Sequence, residues 1–478
     1  MGRWPISVRM LLWGALIVCE VAAGLSLLIL PDPTWGFLLA AVVPVLMLLY
    51  AKPLLGYMFM IFFLPNYGIN LFNVSATADV SLMEPAVAIA CLSWFLLCVK
   101  QGRLKLSFTG LDLPIFAIFI WAGISILWAP GAFRSAQQII KIMIVLTVYF
   151  LSVQMVNSKK DLRWVLGAWI ALSIVVSVVG IYQVVTTGLH ASTQYVYTEA
   201  YTKIHRDVRT TSLFEGSDMA AFLLSMAVVY GVTRYTTLEP GGWRRFTWFL
   251  MPLFMFTLVT TISRKSYLAT AVAVVYLSYS SAKMRKAIMS VAPVLGLAVA
   301  VILAGAFSAA IMERLQSFLL PPQEAIPNRY ETWNYGIGFF FDSPLIGNGL
   351  GSFFVLATLA QSPLVFPHNF YLFILVEFGV VGMALVLLWG YQFFSSFRKY
   401  RHTIAEDETY LLATGLTAGA IVIVLHAFFR SFSLTDPTFW GYFGMTSAFL
   451  KVYPPKAAES LAASEEVSLP DAAARLTI

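Results

Sequence analysis

Basic residues beside apolar stretches are the first candidates for chemistry in this sequence. Arg264 stands where two apolar stretches meet, and Arg209 closes a basic run just before another. An arginine at membrane depth is costly and normally marks a ligand or a buried partner. Because the guanidinium fork suits phosphate oxygens, several such residues on one face predict a diphosphate site. Snorkelling of each side chain to the membrane interface is the alternative.

His368 is the second candidate, and it lies in the run Pro367-His368-Asn369-Phe370 at the start of an apolar stretch. We expect Pro367 to occupy the first helical turn, which leaves the imidazole over a helix N-terminus. The positive end of the helix dipole disfavours the protonated imidazole, and a neutral imidazole is what a general base needs. By position alone, a capping or packing role for His368 is favoured over catalysis.

The glycine-rich segment Gly347-Asn348-Gly349-Leu350-Gly351 lacks the strand and the GKS or GKT ending of a phosphate loop. We therefore predict a flexible turn. The sequence contains no DxD, HExxH or GxSxG motif, and its three cysteines lie in apolar runs. We expect neither a metal nor a cofactor.

The composition indicates whether the elements that position these residues lie in water or in a lipid bilayer. The chain has 478 residues, of which 59% are hydrophobic and 12% are charged, whereas a soluble domain carries about 25% charged residues. So apolar a chain predicts an all-α, polytopic transmembrane helix bundle. The net charge of +7 indicates membrane orientation rather than a nucleic-acid partner.

Apolar stretches long enough for the bilayer predict about fourteen spans. They lie near 10–30, 34–50, 53–68, 84–99, 113–129, 138–156, 163–185, 217–233, 246–262, 264–281, 287–306, 368–393, 409–430 and 436–451. Most of the 31 lysines and arginines fall in alternate loops, so the positive-inside rule predicts that both termini are cytoplasmic. The basic residues that this rule does not explain are Arg134, Lys141, Lys203, Arg206, Arg209, Arg264, Lys265, Arg314, Arg329 and Arg430.

Four regions follow from this map. We expect N-terminal transmembrane helices over 1–185, a catalytic region over 186–393, C-terminal transmembrane helices over 394–453 and a disordered cytoplasmic tail over 454–478. This region includes two long outward-facing loops, 186–216 and 307–367, and loops of that length usually have a function. The second loop should contain short amphipathic helices, one of them over Tyr330–Phe341.

Three blocks of motifs resemble the O-antigen ligase/polymerase superfamily of bacterial membrane enzymes. The strongest block combines Asn328–Trp333, Pro344–Gly351 and Pro367–Leu372, followed by Glu377-Phe378-Gly379 and Gly382. The second is Ile262–Ser266, with its Ser-Arg pair, and the third is Arg209–Phe214 leading to Ala221. The third block departs from the family pattern, since Ser212 replaces a usual glycine and Asp218 stands where asparagine is common.

The resemblance implies a metal-independent, inverting glycosyl transfer at the periplasmic face of the bacterial inner membrane. His368 would deprotonate the acceptor sugar hydroxyl, while Arg264 and Arg209 would hold the diphosphate and stabilise its developing charge. The candidate substrate-binding residues are Arg329, Arg206, Lys265, Asn369 and Trp333. The donor would be an undecaprenyl-diphosphate-linked glycan, and the acceptor lipid A–core or another lipid-linked glycan.

Two family functions stay open. A ligase transfers O-antigen onto lipid A–core, which we favour slightly, whereas a polymerase joins repeat units of O-antigen or exopolysaccharide. A lipid-linked glycan flippase or a secondary transporter fits less well, because transporters place polar sites near the bilayer midplane and the ionisable residues here collect at one predicted face.

Overall fold

The computed structural model describes residues 44–66, 70–75, 78–104, 106–187, 210–214, 216–304, 321–402, 407–429 and 434–454. The predicted helical fold class is confirmed there, apart from one antiparallel hairpin of β1 (Asn70–Ser75) and β2 (Ala78–Ser81). The predicted span over 10–30, the Arg206–Arg209 run and nearly all of the C-terminal tail lie outside the described residues.

Sixteen α-helices are labelled in chain order within these ranges. They are α1 (Pro44–Ala51), α2 (Leu54–Phe63), α3 (Met83–Gln101), α4 (Asp112–Ile124), α5 (Ala132–Met155), α6 (Lys159–Thr187), α7 (Ser217–Thr237), α8 (Gly242–Thr260), α9 (Arg264–Ser280), α10 (Ala282–Ala304), α11 (Pro322–Ala325), α12 (Pro327–Asp342), α13 (Ser352–Leu359), α14 (Phe370–Arg398), α15 (Glu408–Ala427) and α16 (Pro437–Val452). Short 3₁₀ segments cover Leu64–Asn66, Ser125–Trp128 and Lys399–His402.

The described residues contain fewer candidate membrane spans than the sequence predicts. Six helices there (α3, α5, α6, α7, α14 and α15) are long and apolar enough to cross a membrane, so the prediction of about fourteen spans is not confirmed. The predicted spans 34–50 and 53–68 correspond in part to α1 and α2, which meet at 107° and together count as one further span at most. Pro53, which lacks an amide proton, lies at this bend.

Helices α7, α15 and α16 form the centre of the bundle. Within the most apolar part of α7, 83% of the residues are buried, and the corresponding figure for α15 is 72%. Helix α7 packs against α6, α8, α9 and α15, while α16 packs along α5. The described part of the predicted loop 307–367 folds into α11, α12 and α13, and α12 contains the helix predicted over Tyr330–Phe341.

Helix α14 is broken near its N-terminal third, and the glycine-rich segment fills the break. Gly379 has φ 65° and ψ −163°, a conformation that interrupts the helical hydrogen bonds. The freed carbonyl of Val376 accepts from the backbone amide of Asn348 (2.9 Å), and the carbonyl of Glu377 accepts from the backbone amide of Gly349 (2.8 Å). The turn predicted at 347–351 is present, but its backbone amides pair with α14 and brace it against that helix.

Glu377 extends this contact to the next helix. Its buried carboxylate accepts from the backbone amides of Gly351 (3.0 Å) and Phe353 (3.3 Å), at the N-terminus of α13. These amides have no partner within their own helix, so a carboxylate there stabilises the helix end. We call the contacts between 344–353 and 376–381 the glycine clasp.

Replacing Gly379 by alanine should unfold or strongly destabilise the protein. Its backbone lies in a region that glycine alone adopts readily, and an added Cβ would collide with the Leu345 carbonyl oxygen. We expect a loss of about 3 kcal/mol or more, measured as a lowered midpoint of thermal unfolding in detergent. Gly390→Ala is the control, because a Cβ at this position of the same helix meets nothing within 4 Å. An equal effect of both variants would contradict the role of the break.

Candidate active site

The site begins at the tight connection between α8 and α9. Residues Thr260, Thr261 and Ser263 are buried, and Ile262 adopts a positive φ of 50°. The hydroxyls of Ser263 and Ser266 lie 2.8 Å apart and close the first turn of α9. Arg264 is half-buried and is the first residue of α9. A cation at the positive end of a helix favours a bound anion.

Lys265 is held in place by two contacts. Its Nζ lies 2.6 Å from a carboxylate oxygen of Asp218 and donates to the Phe429 carbonyl at 3.0 Å. The Lys265 side chain is only 8% exposed, whereas Asp218 is 36% exposed. The aspartate that replaces the family's usual asparagine thus supplies a counter-charge to a buried ammonium group, which would be costly without one.

Arg329, on the first turn of α12, joins the same cluster. Its Nη1 donates to the Phe429 carbonyl at 3.3 Å, so one carbonyl accepts from two cations. Phe429 follows the C-terminus of α15, where carbonyls lack helical partners and the dipole favours positive charge. Burial lowers the pKa of Arg329 below its ordinary value, and the Asp218 carboxylate opposes this shift. We call Arg264, Lys265, Arg329 and Asp218 the charged cluster.

Trp333 connects the charged cluster to the histidine. Its indole Nε1 donates to the Pro367 carbonyl at 2.6 Å, and the next residue is His368. Arg329 and Trp333 are four residues apart on α12, so their side chains are neighbours on one helix face. The charged cluster and the His368 loop therefore lie about one helical turn apart along α12.

His368 has a left-handed backbone with φ 48°, which is uncommon for a residue other than glycine and is typical of functional sites. Helix α14 begins at Phe370, and its N-cap is Asn369, whose side chain accepts from the Leu372 amide at 3.1 Å. The prediction that Pro367 occupies the first turn is wrong, because it precedes the cap. Asn369, predicted to bind substrate, here caps the helix that follows the histidine.

Arg209 and Arg206 lie outside the described residues, but the segment that follows Arg209 is described. The Thr210 amide donates to the Thr260 carbonyl at 3.1 Å. Ser212 exchanges two hydrogen bonds with the Gln183 side chain, at 2.8 and 2.9 Å, and donates from its hydroxyl to the Val176 carbonyl. The third motif block is thus anchored between α6 and the connection that precedes Arg264.

Sequence reasoning missed two parts of the site. The Phe429 carbonyl carries no side-chain signal, and Asp218 had been noted only as a departure from the family pattern. The replacement of a neutral side chain by a charged one in an apolar segment was the signal that could have indicated its ion pair. No group of three or more His, Cys, Asp or Glu side chains that could hold a metal occurs in the described part of the chain.

One protein-family model matches the part of the chain that contains this site. Residues 249–387 match the family model described as O-antigen ligase. This region is therefore similar to the O-antigen ligase family. The predicted resemblance is confirmed, and the matched region contains Arg264, Lys265, Arg329, Trp333 and His368. A search of curated proteins found no match to the chain.

Ser212 should tolerate glycine but not valine. Its φ is 55°. This left-handed backbone is most strained for a β-branched residue and least strained for glycine. Ser212→Gly relieves about 1 kcal/mol of backbone strain and loses a hydroxyl hydrogen bond of similar value, so the unfolding midpoint should stay nearly unchanged. Ser212→Val should lower it clearly. A valine variant as stable as the wild type would show that the left-handed backbone does not constrain this position.

Proposed function

We propose that the chain is a bacterial inner-membrane glycosyltransferase that uses an undecaprenyl-diphosphate-linked glycan as donor. The glycan would pass to a sugar hydroxyl of the acceptor at the periplasmic face, with O-antigen transferred onto lipid A–core as the favoured reaction. The match to the O-antigen ligase domain supports the reaction class. The distribution of basic residues supports cytoplasmic termini and a periplasmic site.

The observation that carries this proposal is the link made by α12. At one end of this link, Arg329 shares the Phe429 carbonyl with Lys265. One turn later, Trp333 donates to the carbonyl that precedes His368. Helix α12 thus contacts both the charged cluster, which is the proposed diphosphate site, and the backbone beside the candidate base. This arrangement suits a transfer that needs a leaving anion and an activated hydroxyl close together.

The proposed roles follow from this arrangement. His368 accepts the proton of the acceptor hydroxyl as its oxygen attacks the anomeric carbon of the donor sugar. The bond from that carbon to the diphosphate breaks, undecaprenyl diphosphate leaves, and the anomeric configuration inverts. Arg264, together with Arg209, stabilises the negative charge that develops on the leaving diphosphate.

The contacts of Lys265 and Arg329 suggest a supporting part for both, because Lys265 is neutralised by Asp218 and Arg329 lies near the same carboxylate. The resemblance to O-antigen ligases assigns the direct contacts with the donor diphosphate to Arg264 and Arg209. Arg329 would contribute to the positive field and fix α12. Trp333 would orient the His368 loop. No step of this mechanism requires a metal, since arginine side chains supply the positive charge.

A repeat-unit polymerase is the second candidate, and it would use the same chemistry with a lipid-linked glycan as acceptor. Nothing in the geometry of the charged cluster separates the two acceptors. A flippase or secondary transporter is disfavoured, because the ionisable candidates collect at helix ends around one connection rather than at the middle of the spans.

Deletion of the gene in its native host, followed by complementation, tests the proposal. Loss of a ligase should leave bare lipid A–core and accumulate long undecaprenyl-linked chains. Loss of a polymerase should instead leave single repeat units, on the lipid carrier or on the core. Unchanged glycan pools, with altered uptake of a small solute, would contradict the transferase proposal and favour a transporter.

Complementation with His368→Ala or Arg264→Ala should not restore glycan transfer, although both proteins should reach the membrane at normal levels. The matched controls are His402→Ala, at the opposite end of the segment that begins with α14, and Arg285→Ala, an exposed arginine on α10. Both controls should restore transfer. Normal glycan from either site variant would refute the proposed mechanism.

A further inference from the structure

Two adjoining cavities lie at the end of the bundle opposite the charged cluster. Helix α8 has 19 residues and is therefore about 28 Å long, which separates Arg244 near its start from the connection to Arg264 at its end. Helix α10 begins just after Ser280, the last residue of α9, and so its first turns lie at the same remote end. This end has no part in the proposed transfer.

The two cavities are lined by cations and share two residues. The first is about 660 Å³ and is lined by Arg244, Arg245 and Trp248 among others. The second is about 360 Å³ and is lined by Lys283 and Lys286 together with Arg244. Tyr235 and Arg244 belong to both. None of the described residues that line either cavity is acidic.

Arg244 is held in the wall between the cavities. Its guanidinium carbon lies 4.5 Å from the centroid of the Tyr235 ring, in a cation–π contact. Its Nε is buried and has no hydrogen-bond partner among the residues that the structure describes. A buried donor without an acceptor costs free energy, and a phosphate oxygen would remove that cost while matching the guanidinium fork.

The N-terminus of α8 adds to this positive environment. Its N-cap is Gly241, which lines the first cavity and offers no side-chain oxygen to the amides of the first turn. Such amides and the positive end of the helix dipole together favour a bound anion.

Aromatic side chains continue along α8 beside the cations. Trp243, Phe246 and Phe249 are exposed, and Trp248, which lines the first cavity, donates from its indole to the Ser290 hydroxyl at 3.1 Å. Cations followed by exposed aromatic residues match the order of groups in a membrane phospholipid, in which the phosphate is followed by the glycerol and the acyl chains.

We propose that these two cavities bind the head group of an anionic phospholipid between α7, α8 and α10. Basic pockets between transmembrane helices are a known mode of lipid head-group recognition. The positive-inside rule alone requires only basic residues near the membrane surface. Arg285 meets that requirement while lining neither cavity, whereas Arg244, Lys283 and Lys286 converge on one space.

The test compares lipid binding by two double variants that remove the same charge. Full-length protein in an uncharged detergent is titrated with dioctanoyl phosphatidylglycerol, and the bound lipid is counted by native mass spectrometry. Arg244→Gln/Lys286→Gln should weaken binding about thirtyfold, as expected from the loss of two basic contacts with an anionic lipid. The control Lys160→Gln/Arg285→Gln, at exposed residues that line neither cavity, should bind as the wild type does.

Three results would overturn the proposal. Equal weakening of phosphatidylglycerol binding in both double variants would indicate a diffuse effect of charge. Equal binding of dioctanoyl phosphatidylcholine would exclude recognition of an anionic head group. Displacement of the lipid by equimolar inorganic phosphate would indicate a site for free anions. If Arg244→Gln/Lys286→Gln fails to fold, Lys283→Gln/Lys286→Gln replaces it, because both lysines are exposed. This second variant should also weaken phosphatidylglycerol binding, and unchanged binding would refute the site.

Discussion

Within the bilayer every backbone amide and carbonyl needs a partner from the protein, and the break in α14 meets this requirement in an unusual way. The carbonyls of Val376 and Glu377 are freed at Gly379 and are taken up by amides of the glycine-rich segment. Because the Glu377 carboxylate also caps α13, a single defect in one helix fixes the segment that precedes the histidine loop. The other elements of the site are built on this frame.

Helix α12 depends on that frame and carries the site. Its aromatic side chains pack with those of α13 and α14, so Arg329 and Trp333 project from a braced helix rather than from a mobile loop. The two residues make different contacts, one with the charged cluster and one with the backbone beside His368. Rigid support of this kind is what positions reacting groups to within the small tolerance that catalysis requires.

The sequence was sufficient to predict the helical class and most of the described helix positions, because hydropathy is local. It was insufficient wherever the partners are distant in the chain. Lys265 and Asp218 are 47 residues apart, and Trp333 and Pro367 are 34 apart. The bend between α1 and α2 lies at Lys52-Pro53, and the basic residue there predicted a loop between two spans. Glycines at 347–351 indicated a turn, but their spacing contained no information about the helix that pairs with them.

Helix α12 holds the histidine loop against the charged cluster, and Trp333→Phe tests this role most directly. This change keeps an aromatic ring but removes the donor to the Pro367 carbonyl. With purified protein and an undecaprenyl-diphosphate-linked glycan, we predict a turnover lowered about tenfold or more, with an unchanged unfolding midpoint and little change in KM. Trp243→Phe, at an exposed position of the remote end, should leave turnover intact. A Trp333→Phe protein with wild-type turnover would contradict the positioning of the histidine loop by α12.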